Sequence, residues 1–349
     1  MFVNLYSDTQ TRPSSAMRRA MAEAEVGDEQ RFEDPQVTAL CSRVASLLGF
    51  EAAVFLPSGT MCNEIAFRLH IRPGGDEAIL HRTAHPIIAE AGGPAAFAGA
   101  MMQPLDTPRG MFSGDDVRGA LRHPDRYSPR SRLVSVEQTT NMAGGRVWPL
   151  ELLRDVVGVA RENGLRLHMD GARLMNASVA SGVPADEIGR HFDTVTLCLS
   201  KGLGCPLGAL VAGSPERMAK ARRLKHLFGG AMRQAGIVAA AGVYALEHNV
   251  DRLAEDHVRA RRLAEGLYDA GVPVQLEQVE TNFVQVDVGP LGLGPAEALE
   301  RLMQQGVGLS MTVHPTRLRA VTHLDIDDED VERAIELIPR ALGALARAS

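Results

Sequence analysis

Hydrophobic positions along the chain follow two alternating periods. Residues 35–48 place Val37, Leu40, Cys41, Val44, Leu47 and Leu48 on one helical face, and Gly49 ends that helix. Ala52 to Leu56 reads as a short buried strand running into Pro57-Ser58-Gly59-Thr60 and a second helix. Residues 132–136 predict a strand that ends at Glu137, and residues 149–163 predict a helix stopped by Gly164. Residues 165–169 alternate as a strand that delivers Asp170, and residues 194–199 form a strand that delivers Ser200-Lys201. Residues 208–212 add another strand. This rhythm predicts an α/β domain around a mostly parallel sheet.

From about residue 249 the rhythm changes. A long charged helix over 249–270 leads to short strands near 274–287 and 317–322, with helices near 295–305 and 328–346. The expected organisation is an N-terminal segment (1–20), a large α/β domain (21–248) and a small C-terminal α+β domain (249–349). No Gly/Ser-rich linker separates the last two, so a connecting helix is the expected hinge.

Composition narrows the function classes. The 349 residues are 45% hydrophobic and 23% charged, with a net charge of -6, an ordinary globular balance with no basic footprint for nucleic acid or an anionic membrane. A local cluster of Arg217, Lys220, Arg222, Arg223 and Lys225 reads as a solvated helix face or a phosphate-facing edge. The cysteines (Cys41, Cys62, Cys198 and Cys205) make no C-x-x-C pair, and no His cluster has zinc spacing, so no metal is expected and reduced thiols in a cytoplasmic protein are. The first residues carry Asp8 and no apolar core, and no run approaches the ~20 apolar residues of a membrane span.

Candidate chemistry gathers at the predicted strand ends. A lysine directly after a buried strand is costly unless paired or chemically used, although a strand-end lysine reaching solvent is the plainer alternative. Gly202-Leu203-Gly204-Cys205-Pro206 after Lys201 forms a tight turn. Asp170 ends a second strand, where a helix cap is its alternative role. In open parallel sheets ligands bind beyond the carboxyl ends of the strands. Pyridoxal phosphate (PLP) needs both groups: an amine for a Schiff base and a carboxylate that keeps the pyridine nitrogen protonated. Ser58-Gly59-Thr60, between a strand and a helix, suits its phosphate, or is an ordinary N-cap.

Several ordered motifs carry a resemblance that runs nearly end to end. They include Ser7-Asp8-Thr9, Gly27-Asp28 with Glu33-Asp34-Pro35, Pro57-Ser58-Gly59-Thr60 and Ala84-His85 with Glu90-Ala91-Gly92-Gly93. His168-Met169-Asp170-Gly171-Ala172-Arg173, Ser200-Lys201-Gly202, Met232-Arg233-Gln234 and Arg319-Ala320-Val321-Thr322-His323 complete the set. The chain resembles the threonine aldolase family, fold-type I PLP enzymes related to the β-eliminating lyases. The resemblance implies a mostly parallel sheet with a smaller C-terminal α+β domain, and cleavage of a β-hydroxy-α-amino acid to glycine and an aldehyde. It implies that Lys201 holds the cofactor, Asp170 pairs its ring nitrogen, and Ser58, Gly59 and Thr60 cradle its phosphate. His85 is expected over the ring and Arg173 near the cofactor and substrate. Arg319 is expected on the substrate carboxylate with help from Ser7, with Arg317 as a rival. Arg233 is expected to reach the phosphate of a neighbouring subunit in a homotetramer with shared sites.

Two departures bear on the substrate. Many relatives carry a second His where this chain has Tyr127, a poor base because tyrosine titrates near pH ~10. His85 is then the leading base, with His123 less favoured. Relatives often have Tyr-Gly where this chain has Arg31-Phe32, so Arg31 either reads an acidic substrate side chain or pairs with Glu29 or Glu33 on the surface. Alternative activities are an aldolase for 3-hydroxyaspartate or phenylserine and a β-eliminating lyase. A PLP-binding protein without catalysis is disfavoured by the intact Lys201, Asp170 and Arg319.

Overall fold

A computed structural model describes residues 2–344. Its central feature is a seven-stranded sheet. In chain order the strands are β1 (Ala52–Leu56), β2 (Asp76–His81), β3 (Met101–Leu105), β4 (Arg130–Glu137), β5 (Arg166–Gly171), β6 (Thr194–Cys198) and β7 (Ala209–Gly213). Their spatial order is β1-β7-β6-β5-β4-β2-β3. Only β7 runs antiparallel to its neighbours, β1 and β6. β2, β6 and β7 are buried along their whole length, as a sheet covered on both faces requires. Parallel register sets Glu137 beside Asp170 and Asp170 beside Thr196, so the strand ends that carry the candidate chemistry lie side by side.

Strands β2 and β3 are absent from the sequence reading, and both have a physical reason. β2 opens on two buried acids: Asp76 pairs with Arg130 at 3.0 Å, and Glu77 with Arg122 at 3.2 Å. β3 is a part-exposed edge strand carrying Pro104, a residue tolerated there because an edge needs fewer ladder donors.

The C-terminal part has its own apolar core. Ala260, Leu263 and Leu267 of the helix Leu253–Asp269 pack with Val284, Val286, Leu318, Ala334 and Ile338. A small antiparallel sheet joins β8 (Phe283–Asp287), β9 (Ser310–Met311) and β10 (Arg317–Val321), with β10 in the middle. Val3 and Leu5 belong to this second core, and Val3–Asn4 pairs in parallel with Val307–Gly308. The strand expected over 274–287 narrows to β8, preceded by a short turn of helix at Leu276–Gln278. The last helix spans Asp328–Leu342, and the final two positions of the predicted 328–346 lie outside the described residues. On the helix Pro215–Leu227, Arg217 and Lys220 pair with Asp193 and Glu216. Lys225 instead is buried, and its ammonium bonds to the Phe55 carbonyl at 2.8 Å and to Glu29.

Candidate active site

The carboxyl ends of β4, β5 and β6 open onto a cavity of about 150 Å³. Lys201, Asp170, His85, Gly59, Thr60, Arg173 and Glu137 all line it. Lys201 follows β6 by three residues, and its backbone is tied down from both sides. Its carbonyl accepts from the Thr11 hydroxyl and the Gly204 N–H, each at 2.8 Å. That loop geometry fixes where the ammonium starts.

Asp170 is buried, and Asn63 holds one of its oxygens at 2.8 Å while the Ala172 N–H holds the other at 3.0 Å. Burial alone would raise its carboxyl. The Lys201 ammonium, His85 and the Asn63 amide outweigh burial and keep it below the usual carboxylate range. His168, two residues back on the same strand, bonds Thr194 and Asn63, and burial pushes its imidazole down to about 4. A neutral His168 therefore braces Asn63 without adding charge.

His85 begins the short helix His85–Ile88. Its ring Nδ1 lies 2.7 Å from Glu90, and its backbone N–H donates to Glu137 at 3.2 Å. An ionised Glu90 can only accept, so Nδ1 carries the hydrogen and Nε2 is the free basic atom. Burial disfavours the charged ring, but the Glu90 bond and Asp170 outweigh it and raise the group above its ordinary value. Buried Glu137 is pushed up to about 7 by desolvation and the nearby Asp170 charge, against the Asn141 N–H at 2.7 Å. His85, Glu90 and Asp170 bring ligand-type atoms within 4.8 Å of one another, but they already form a closed hydrogen-bond set through Asn63.

The helix Gly59–His70 starts at the cavity with Ser58 as its cap, the Ser58 hydroxyl accepting from the Met61 N–H at 3.2 Å. The first N–H groups of such a helix, those of Gly59 and Thr60, have no intrahelical acceptor and face an anion favourably. Gly59 is also sterically required, because a Cβ there would meet Cys198 Sγ at 2.5 Å. Orphan donors, a reachable amine and a buried carboxylate around one cavity fit PLP. They fit its phosphate, carbonyl and ring nitrogen respectively.

The two predicted arginines sit deep on the other side. Arg173 makes a bidentate pair with Asp8 at 2.6 and 2.7 Å, and both residues are buried. Arg319, on β10, donates to Ser310 at 3.1 Å and to Asn141 at 2.5 Å and meets no carboxylate among the described residues. Burial and the Arg173 charge lower it to about 10. Both guanidiniums lie over the Phe283 ring, at 4.8 and 5.3 Å. Ser7 is buried beside this group, and its hydroxyl caps Thr9 at 3.2 Å. Arg317 points elsewhere: its nearest acid is Asp287, at 3.9 Å, and it lines a different cavity.

Ser7, Ser58 and Arg319 stand behind this chain's cavity without lining it, and four further candidate residues lie away from it. Arg31 pairs with Glu33 at 2.9 Å on the surface, the bland alternative. Arg233 is exposed and pairs with Asp28 at 3.0 Å. Tyr127 is exposed and bonds Arg126, and His123 is exposed 3.9 Å from Asp125. Phe32 takes a left-handed backbone with φ 61°, a conformation that favours glycine. Asp8, Asn63, Glu64, Glu90 and Glu137 were assigned no role from the sequence. The available signal was the polar pair Asn63-Glu64 inside the otherwise apolar start of a buried helix.

Comparison with known proteins identifies the family and the fold. The family model described as beta-eliminating lyase matches residues 4–289. A probable low-specificity L-threonine aldolase 2 from Arabidopsis thaliana is 41% identical over 335 residues, covering 95% of this chain and 94% of the relative. The low specificity L-threonine aldolase of Escherichia coli K12 is 42% identical, covering 94% of this chain and 96% of the relative. Among solved structures, a threonine aldolase from Leishmania major superposes with a TM-score of 0.83 at 20% identity, covering 97% of this chain and 99% of that chain. The architecture is that of the fold-type I PLP enzymes. The chain therefore belongs to the beta-eliminating lyase family, alongside the low-specificity L-threonine aldolases.

Proposed function

We propose that this protein is a PLP-dependent aldolase that cleaves a β-hydroxy-α-amino acid of the L-threonine or L-allo-threonine type to glycine and an aldehyde. The observation that carries this is the cavity itself. One edge holds an amine, a buried carboxylate and a helix N-terminus for the cofactor. Behind the other edge, Arg319 donates to the lining residue Asn141 and has no carboxylate partner among the described residues. The relatives named as threonine aldolases support the same reading.

Lys201 would hold the cofactor through its amine, Asp170 would face the ring nitrogen, and Gly59 and Thr60 would donate to the phosphate. When bound, PLP supplies an electron sink for the pair released when the Cα–Cβ bond breaks. Arg319 orients the substrate through its α-carboxylate, with a planar fork matched to that group. Arg173, already neutralised by Asp8, shapes the site without competing for the carboxylate. His85 takes the substrate hydroxyl proton at Nε2, directly or through water, and its Glu90 bond stabilises the charge it gains.

We infer further that the enzyme is a homotetramer with shared sites. Arg233 lies outside its own chain's cavity and exposed, as a residue serving a neighbour would. A cytoplasmic location is supported by four free cysteines, and no helix among the described residues is long and apolar enough to cross a membrane.

The deciding experiment supplies L-threonine and L-allo-threonine with PLP and identifies the products. Glycine and acetaldehyde are expected. A 2-oxo acid with ammonia would transfer the assignment to β-elimination on the same scaffold. Lys201→Ala is expected to lose both turnover and the absorbance of lysine-bound cofactor; retained turnover would overturn the role of Lys201.

A further inference from the structure

Directly behind His85 lies a pair of acids that the scheme above does not use. Glu64, on the helix Gly59–His70, is buried, and neither of its carboxyl oxygens has a hydrogen-bond donor. It lies against Gly93, where an added Cβ would meet a Glu64 oxygen at 2.0 Å, so the chain leaves that space to the carboxyl. Glu90 is equally buried. Its Oε1 accepts from Asn63 at 2.8 Å and faces His85 Nδ1 at 2.7 Å, while its Oε2 has no donor. Two buried, adjacent carboxyls cannot both ionise, and the proton goes to the one with fewer donors. Glu90 has two donors and Glu64 has none.

We propose that Glu64 carries the single proton of a Glu64–Glu90 pair and donates it to Glu90 Oε2, so that Glu90 stays a carboxylate and pins His85 by its Nδ1–H. Glu64 is thus a positioning residue, acting on His85 through Glu90. The inference rests on His85 being the group that faces the substrate. The proposed proton would extend to Glu64 the chain that already joins Glu90 to His85, and Asn63 ties the same Glu90 oxygen to Asp170.

Burial and the Glu90 charge push Glu64 up to about 9, in keeping with a neutral acid at physiological pH. The charged groups facing His85 are Glu90, Asp170 and Lys201, with Glu137 at its backbone N–H. The helix Pro215–Leu227 also packs on Gly59–His70, but its Arg217 and Lys225 are engaged by Asp193 and Glu29. Short helix Gly93–Ala98, on the Glu64 side, carries no charge. Apart from His85, which meets Glu90 alone, no cation among the described residues forms an ion pair with either acid, and Glu64 is left to a proton.

The test compares wild type, Glu64→Gln and Glu64→Leu as holoenzymes. Infrared spectroscopy at pH 8 should show a neutral carboxylic acid C=O stretch in wild type that is missing from Glu64→Gln. Gln keeps an N–H donor for Glu90, so His85 should titrate as in wild type by NMR and neutral-pH turnover should stay within about twofold. Leu removes the donor, and the His85 titration should move up by about half a unit or more as Glu90 becomes a stronger base. A C=O stretch that persists in Glu64→Gln, or a His85 titration unmoved in Glu64→Leu, would overturn the proposal. Should Glu64→Leu not fold, the Gln spectra decide alone. The infrared and NMR readouts are independent of the reaction: failure to release glycine and aldehyde with an intact C=O difference would count against the aldolase reading and not against the acid pair.

Discussion

Replacing Asp8 by asparagine isolates the strongest single interaction beneath the site. Asp8 is fully buried and holds the Arg173 guanidinium by both oxygens, at 2.6 and 2.7 Å. Asn282 adds a weaker donor at 3.3 Å. Arg319 lies over the same Phe283 ring as Arg173, so Asp8 provides the counter-charge for a region holding two buried guanidiniums. The substituted amide would keep the shape, remove that charge and turn an N–H₂ toward one guanidinium edge. Removing one partner of a buried ion pair costs about 3–5 kcal/mol, because the other charge stays desolvated. Denaturant unfolding of the cofactor-free protein at pH 7 measures this directly as a lower midpoint for Asp8→Asn. The pH dependence supplies a second check. Arginine pairing outweighs burial and depresses the folded Asp8 carboxyl well below its ordinary 3.8. Its stabilisation is complete above about pH 5 and declines as pH falls below 3.8 toward the depressed folded value. The gap between wild type and variant should narrow over that range. A loss below about 1 kcal/mol at pH 7, or a gap that does not change with pH, would refute the argument.

Two further substitutions test Arg319 and Phe32 separately. Arg319→Leu removes the guanidinium that stands behind Asn141 without a carboxylate partner among the described residues; substrate KM should rise by about 10- to 100-fold, from the roughly 1.5–3 kcal/mol of a charge-assisted contact, and an unchanged KM would remove Arg319 from the carboxylate site. Phe32→Gly relieves a left-handed backbone at an exposed side chain, and should stabilise the fold by about 0.5–1 kcal/mol net of glycine's freer unfolded state, seen as a higher unfolding midpoint.

The parts of the fold legible in the sequence are those where burial and turn chemistry coincide. β1 and β7 are continuous apolar runs ended by Pro57 and Ser214, β6 alternates Thr with apolar residues before Ser200, and the sequence places each within a residue at either end. β2 and β3 break that code, one by opening on Asp76-Glu77 and the other by carrying Pro104. The site divides in the same way. Lys201, Asp170, His85 and Gly59-Thr60 each follow or end a strand, so topology alone brings them to one edge. Arg319 depends on how β10 of the small sheet meets Asn141 in the loop after β4, and only the family resemblance pointed to it. Residues that act through another residue left almost no signal. Asn63 and Glu64 are two polar letters in a helix, and their partners, Asp170 and Glu90, are 107 and 26 positions away. Nothing local announces a contact at that separation.

The same acid pair makes a claim on stability that does not involve catalysis. Glu64 is held neutral by burial and by Glu90, at about 9 in the folded chain against 4.5 as a free side chain. A carboxyl whose folded value is raised favours the folded state fully below its unfolded value. That contribution is lost progressively as pH rises through 4.5 toward 9, because the unfolded chain releases the proton first. Wild-type stability should therefore carry a downward slope over this window that Glu64→Gln lacks. The slope is bounded by about 1.36 kcal/mol per pH unit, so between about pH 5 and 8 the variant should gain on wild type by an amount on the order of 2–4 kcal/mol. Gln supplies an N–H donor to Glu90 in place of the carboxyl O–H and leaves the second side-chain oxygen as unpartnered as before, so the packing change is small. Unfolding curves at several pH values across the window measure the difference. Parallel curves for the two proteins would mean that Glu64 is ionised in the folded chain, and His85 would then face two negative charges where the hydrogen-bond chain requires one.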